Sequence, residues 1–160
     1  MWHWQCRNIA SNGETAGLSA SEPRQYADKG RRIVKTIMRG IIGLVGLFNI
    51  SIGLLFLLQP AKLGAAFFLS PLTTQGLATL RADFPGFFIG ASVFALYGAW
   101  RADARPLLVP LVMLGLALFG RFVSLALDGV GPAAIQPMVV EAVMLTLLLI
   151  ARRSFAGARA

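Results

Sequence analysis

The chain has 160 residues, 56% of them hydrophobic and only 14% charged, with a formal net charge of +8. Soluble domains carry about 45–50% apolar and about 25% charged residues, so this balance excludes an ordinary water-soluble domain. One cysteine, Cys6, and one histidine, His3, stand near the start; an internal disulfide is excluded, and the apolar region holds no His or Cys for a zinc, copper or haem site, so no metal or cofactor is expected.

Residues 1–39 read as a polar tail, rich in Ser, Asn, Gly and Glu over 11–22 and without a hydrophobic period. Such a segment is expected to be a disordered leader. Met1-Trp2-His3-Trp4-Gln5-Cys6 belongs to it, and Met38 offers an alternative start just before the first apolar run. The basic residues Arg31, Arg32, Lys35 and Arg39 flank that run. Lys and Arg collect in the flanks of apolar runs throughout the chain. That arrangement orients a membrane protein and does not suggest a nucleic-acid partner.

Residues 40–155 are expected to form one domain with four spans, at about 41–58, 84–100, 107–127 and 133–151. Each is near the ~18–20 apolar residues that cross a hydrocarbon core of about 30 Å. The runs are apolar all round, unlike the one-sided helices of soluble bundles. The first span carries Gly43, Gly46, Asn49 and Gly53 on one helical face, where a neighbouring backbone can approach closely and Asn49 can hydrogen-bond. Residues 61–70 are too short to cross and predict an interfacial segment. Ser70-Pro71 has the form of an N-cap followed by proline at the first helical position. A helix starting there would carry Leu80-Arg81-Ala82-Asp83-Phe84-Pro85-Gly86 into the second span. Pro85 cannot donate to the Arg81 carbonyl, which predicts a kink.

The second span also holds Gly86 and Gly90, and ends on Tyr97 and Trp100, which suit an interfacial belt. Arg101-Ala102-Asp103-Ala104-Arg105-Pro106 is a short hydrophilic connection. The third span tolerates Pro110 in its first turn. Asp128-Gly129-Val130-Gly131-Pro132 makes a tight turn into the fourth span, which carries Pro137 one turn inside. The expected fold is therefore all-α: an integral membrane four-helix bundle with a short interfacial segment between helices 1 and 2.

Two charges stand well inside apolar runs, Arg121 in the third span and Glu141 in the fourth. At 1.5 Å per residue they lie roughly 9–10 Å and roughly 12 Å from the turn that joins their antiparallel helices. An arginine at the centre of a span costs about 2.5–3.5 kcal/mol, a cost that pairing relieves. Arg121, Ser124 and Asp128 share a helical face. Arg81 and Asp83 open the second span from the same side. The expected site is a polar cluster of Arg121, Glu141, Asp128, Arg81 and Asp83, with Asn49 as its floor.

At these residues the chain resembles a bacterial family of small four-helix membrane proteins, the domain of unknown function 4345 family. The resemblance rests on the 80–86 segment, Gly120-Arg121, Asp128-Gly129 and Glu141, and covers about residues 38–155. It implies glycine where Pro85 stands, a departure in this chain. It implies a four-helix integral membrane fold and no particular reaction.

Orientation follows from counting. The tail before the first span holds seven Lys/Arg, the 101–106 loop two and the segment after the fourth span three, against Lys62 and Arg81 on the other side. The bias predicts both termini in the cytoplasm of a bacterial inner membrane. The leading functional expectation is a multi-pass protein without catalysis, whose charged cluster is structural or binds a partner. One alternative is binding or transport of a small anionic or amphiphilic ligand from the outer face. The other is a lipid-modifying enzyme with Glu141 as acid or base. The lipid bilayer is the expected partner, with the glycine faces of the first two spans available to a second copy or another membrane protein.

Overall fold

The computed structural model describes residues 22–129, 131 and 135–156. His3, Cys6, Pro132 and Arg159 lie outside the described residues. The regular structure is helical: α1 (Glu22–Leu58), α2 (Pro60–Ala66), α3 (Thr74–Arg101), α4 (Leu108–Asp128) and α5 (Ile135–Ala156). Among the described residues, α1, α3, α4 and α5 are long and apolar enough to cross a membrane. In hydrocarbon every backbone polar group must be satisfied inside the protein, and a helix does so within one segment. The chain is an all-helical membrane protein with four spans, and α2 is the short piece between the first two.

Two local expectations change. Residues 22–39 are helical and continue into the first span as one 37-residue α1. Ten of the eighteen residues of this stretch are good helix formers (Ala, Glu, Gln, Lys, Arg or Met), and Arg32 Nε donates to Asp28 Oδ2 one turn away at 3.0 Å, a pairing that supports an exposed helix. Ser70-Pro71 does not start α3. Thr73 does: its backbone is extended and its hydroxyl accepts from the Gly76 amide at 3.1 Å. Pro85 sits inside α3, which continues through it.

The helices form a ring in which α1 meets α3, α3 meets α4, α4 meets α5, and α5 returns to α1. The most extensive contact is α1 with α3. Glycine sets its closeness: a Cβ on Gly46 would lie 2.8 Å from Leu96 Cγ, and one on Gly53 only 2.6 Å from Ile89 Cγ1. As the first partner moves up α1 the second moves down α3 by the same seven residues, so the two helices run antiparallel.

That register makes a seven-residue repeat visible in all four spans, the spacing of side chains that return to one seam between packed helices. Buried Ile42, Ala99, Leu107 and Phe155 form an apolar layer near the basic ends of the helices. Seven residues on, Asn49, Ser92, Leu114 and Leu148 are again all buried. The third step reaches Phe56 and Pro85, both buried, and then Arg121 and Glu141. Around Phe56, the rings of Phe67, Phe84 and Phe88 close the α1–α2–α3 side, with centroids 4.6–6.0 Å away. By contrast, α4 buries only Pro110 and Leu114, and α5 only Leu148, Ala151 and Phe155. The core is deepest at the basic pole.

Two helix ends use left-handed residues that are not glycine, Phe68 (φ 60°) after α2 and Ala102 (φ 49°) after α3. Each lets the next amide reach back to the helix: Leu69 N to Gly64 O at 2.8 Å, and Asp103 N to Gly98 O at 2.9 Å. This conformation costs an L-residue about 1–2 kcal/mol. Phe68 is largely exposed, so Phe68→Gly removes the strain with little lost packing. After the entropy glycine gains in the unfolded chain, a net gain of about 0.5–1 kcal/mol is expected, read as a Tm rise of about 1–4 °C in detergent. A lower Tm would show that the Phe68 ring anchors this corner.

Candidate ion-pair site within the membrane bundle

Leu107, Leu114 and Arg121 follow one another at seven-residue steps along α4, as do Glu141, Leu148 and Phe155 along α5. Arg121 and Glu141 therefore occupy the next core position on two stripes whose earlier members are buried leucine and phenylalanine. The structure brings them together. Arg121 Nε donates to Glu141 Oε1 at 2.8 Å and to Oε2 at 2.9 Å. The carboxylate side is the more enclosed, with side-chain exposures of 15% for Glu141 and 37% for Arg121. Only Nε of the guanidinium is used, so its two terminal nitrogens have no partner among the described residues.

The other expected members of the cluster are not bonded to the pair among the described residues. Arg81 and Asp83 are exposed, one turn or less before Pro85. Asp128 is exposed at the end of α4. None of the three makes an ion pair among the described residues, and none is hydrogen-bonded to Arg121 or Glu141. Their side chains are exposed, so no packing requires compensation of their charge.

Asn49 lies one layer below the pair, about 10 Å along the axis at 1.5 Å per residue. It lines a cavity of about 40 Å³ among all four spans, with Ser92 as the other polar group there and Ile42, Phe87, Leu114 and Met144 among its apolar walls. Both polar groups are satisfied on their own helices. Asn49 Nδ2 donates to Val45 O at 2.8 Å, and Ser92 Oγ donates to Phe88 O at 2.7 Å. A buried polar group satisfied one turn back needs no cross-helix partner.

The pair and the cavity fall inside one matched region. The family model for a domain of unknown function (DUF4345) matches residues 37–152. The chain belongs to the DUF4345 family. No curated protein and no solved structure matches it. The DUF4345 match takes in Asn49, Ser92, Arg121 and Glu141 and leaves residues 22–36 of α1 outside.

The DUF4345 bundle also uses a residue that the sequence reading left as a basic flank. Arg39 Nε donates to Ala99 O and Nη2 to Trp100 O, both at 2.9 Å. These are carbonyls of the last turn of α3, where a helix runs short of amide donors; Ala99 O also accepts from the Ala102 amide at 3.3 Å. A cation is also favoured at this negative end of the helix dipole. The seven-residue stripe of α1 hides this role, because Arg39 is outside it. Only the antiparallel register, which sets Arg39 beside the end of α3, reveals it. Ser92 was missed for a different reason: a lone serine in an apolar helix carries no signal until its layer is known.

The glycine faces divide. Gly46 and Gly53 are occupied by α3 of the same chain, whereas a Cβ on Gly43, Gly86 or Gly90 would meet nothing within 4 Å.

Proposed function

We propose that this DUF4345 protein is a non-catalytic multi-pass membrane protein in which Arg121 and Glu141 act as an internal strut, fixing α4 against α5 in the half of the bundle that lacks a deep core. One observation carries the reading: both oxygens of a mostly enclosed carboxylate accept from one guanidinium nitrogen, across two helices that are otherwise apolar there. A charged pair inside a span relieves the cost of either charge alone. It also fixes helix register, because a slip of either helix would break it.

A second reading is favoured by the unpartnered terminal nitrogens of Arg121. They can receive the phosphate or carboxylate of an amphiphile entering from the end of the bundle where α4 and α5 join. The two readings separate by ligand response. Thermal unfolding of the purified protein in neutral detergent is measured with and without phosphatidylglycerol and with inorganic phosphate. A strut gives the same Tm in each. A rise in Tm with phosphatidylglycerol that Arg121→Gln abolishes establishes the binding reading.

We further infer that the ends rich in Arg and Lys face the cytoplasm, in a bacterial inner membrane. The support is twelve Lys/Arg on the side of the two termini and the 101–106 loop, against Lys62 and Arg81 opposite, the asymmetry that sets orientation. In a Cys6→Ser background, a cysteine placed at Gly131 should react with an impermeant maleimide from the periplasmic side. Reaction only after the inner membrane is opened would reverse the orientation.

A further inference from the structure

The N-terminal part of α1 is longer than the membrane requires. Of its 37 residues, about 20 suffice to cross the hydrocarbon, and the first residue of the core is Met38. About 15 residues project past the bundle, and among those whose side chains are described none is buried.

This projection has two faces. At 100° per residue, Tyr26, Ile33, Val34 and Ile37 share an arc of about 100°. All four are exposed, by 46–73%. Lys29, Arg31, Arg32 and Lys35 occupy the remaining circumference. Arg32 is paired with Asp28, while Lys29, Arg31 and Lys35 have no partner among the described residues. Arg31 and Lys35 stand one turn apart, a like-charge pair that weakens a helix unless something compensates it. Positive-inside orientation accounts for basic residues near a span. It does not account for an exposed apolar arc beside them.

We propose that residues 26–37 form a docking surface for the anionic phospholipid headgroups of the leaflet at the basic pole, with the apolar arc entering the interface and the basic residues on the headgroup phosphates. An exposed helix with a basic polar face and an aromatic-containing apolar face is built for that boundary. Charge complementarity selects the occupant, and continuity supplies the proximity, since the same helix is already a membrane span. Upright, Lys29 would stand about 18 Å above Ile41, beyond a Debye length of about 8 Å. Reaching the surface requires α1, one continuous helix here, to tilt or bend near Gly40, and once there each Lys or Arg adds to the attraction.

The test uses the full chain in nanodiscs, which leave both faces open. Cys6→Ser is combined with Ile33→Cys, and the labelling rate of the new cysteine by a water-soluble maleimide is followed. In discs of phosphatidylcholine with phosphatidylglycerol, labelling is expected to be strongly slowed relative to phosphatidylcholine alone. Adding Lys29→Gln, Arg31→Gln and Lys35→Gln should restore it, an effect of up to ~100-fold. Lys29 and Arg31 are exposed and Lys35 is half-buried, and an unchanged Tm in detergent verifies the fold of each variant. Equal labelling in the two lipid mixtures overturns the proposal. So does slowing by an added oligonucleotide in phosphatidylcholine discs without slowing by phosphatidylglycerol, which would make the surface a nucleic-acid site.

Discussion

Arg121→Leu and Glu141→Leu should each lower the Tm by about 3–10 °C, and the double variant should recover most of that loss. Each single change leaves one charge inside an apolar helix pair, for which the insertion cost is about 2.5–3.5 kcal/mol at mid-span. The 37% exposure of Arg121 lets solvent or headgroups take part of this, so a loss of about 1–3 kcal/mol is expected. In a membrane-sized helical domain this is about 2–4 °C per kcal/mol. The double variant completes an apolar layer with Phe56 and Pro85, and a buried pair replaced on both sides by apolar residues is often neutral or stabilising. The quantity to measure is the coupling energy of the cycle: two single losses of about 1–3 kcal/mol with a near-neutral double variant give roughly 2–5 kcal/mol, more than a typical neutral hydrogen bond between membrane helices. Losses that add to within about 0.5 kcal/mol would mean that the two residues act independently, and the strut would be abandoned.

Gly53→Val is expected to cost about 2–3 kcal/mol, a loss of several degrees in Tm. Its Cβ would approach Ile89 Cγ1 to 2.6 Å and Phe88 Cβ to 3.3 Å. Neither atom is the free end of a flexible chain, so the helix backbones must separate and the phenylalanine cluster around Phe56 loosens with them. Overpacking of this kind costs typically 1–3 kcal/mol. Gly86→Ala is the matched control. It meets nothing within 4 Å and should gain up to about 1 kcal/mol from helix propensity alone. If Gly53→Val proves as harmless as Gly86→Ala, the α1–α3 contact is not set by glycine.

The four spans and the Arg121–Glu141 pair were legible because hydrocarbon constrains sequence severely. A charge in an apolar run needs a partner, and a short turn leaves few candidates at matching depth. Arg81, Asp83 and Asp128 carried the same kind of signal, yet among the described residues none is bonded to Arg121 or Glu141. They stand near helix ends, where water reaches them and the constraint lapses. The helical 22–39 segment was missed because a polar, amphipathic stretch outside the membrane looks like a tail until its period is drawn on a helix. Ser70-Pro71 imitated a helix start, and Thr73 took the role because its hydroxyl reaches the Gly76 amide. Arg39 required a tertiary register that no single helix contains.

The uneven depth of the core has a mechanical consequence. At the basic pole all four helices are joined through Ile42, Ala99, Leu107 and Phe155. At the opposite pole α1, α2 and α3 are bound by phenylalanine rings, while α4 and α5 hold each other through Arg121 and Glu141. The pair links the hairpin to itself and makes no hydrogen bond to α1 or α3 among the described residues. Separation of the α4–α5 hairpin from α1 and α3 at this pole would therefore leave the ion pair intact, whereas separation at the basic pole would open the layer that all four helices share.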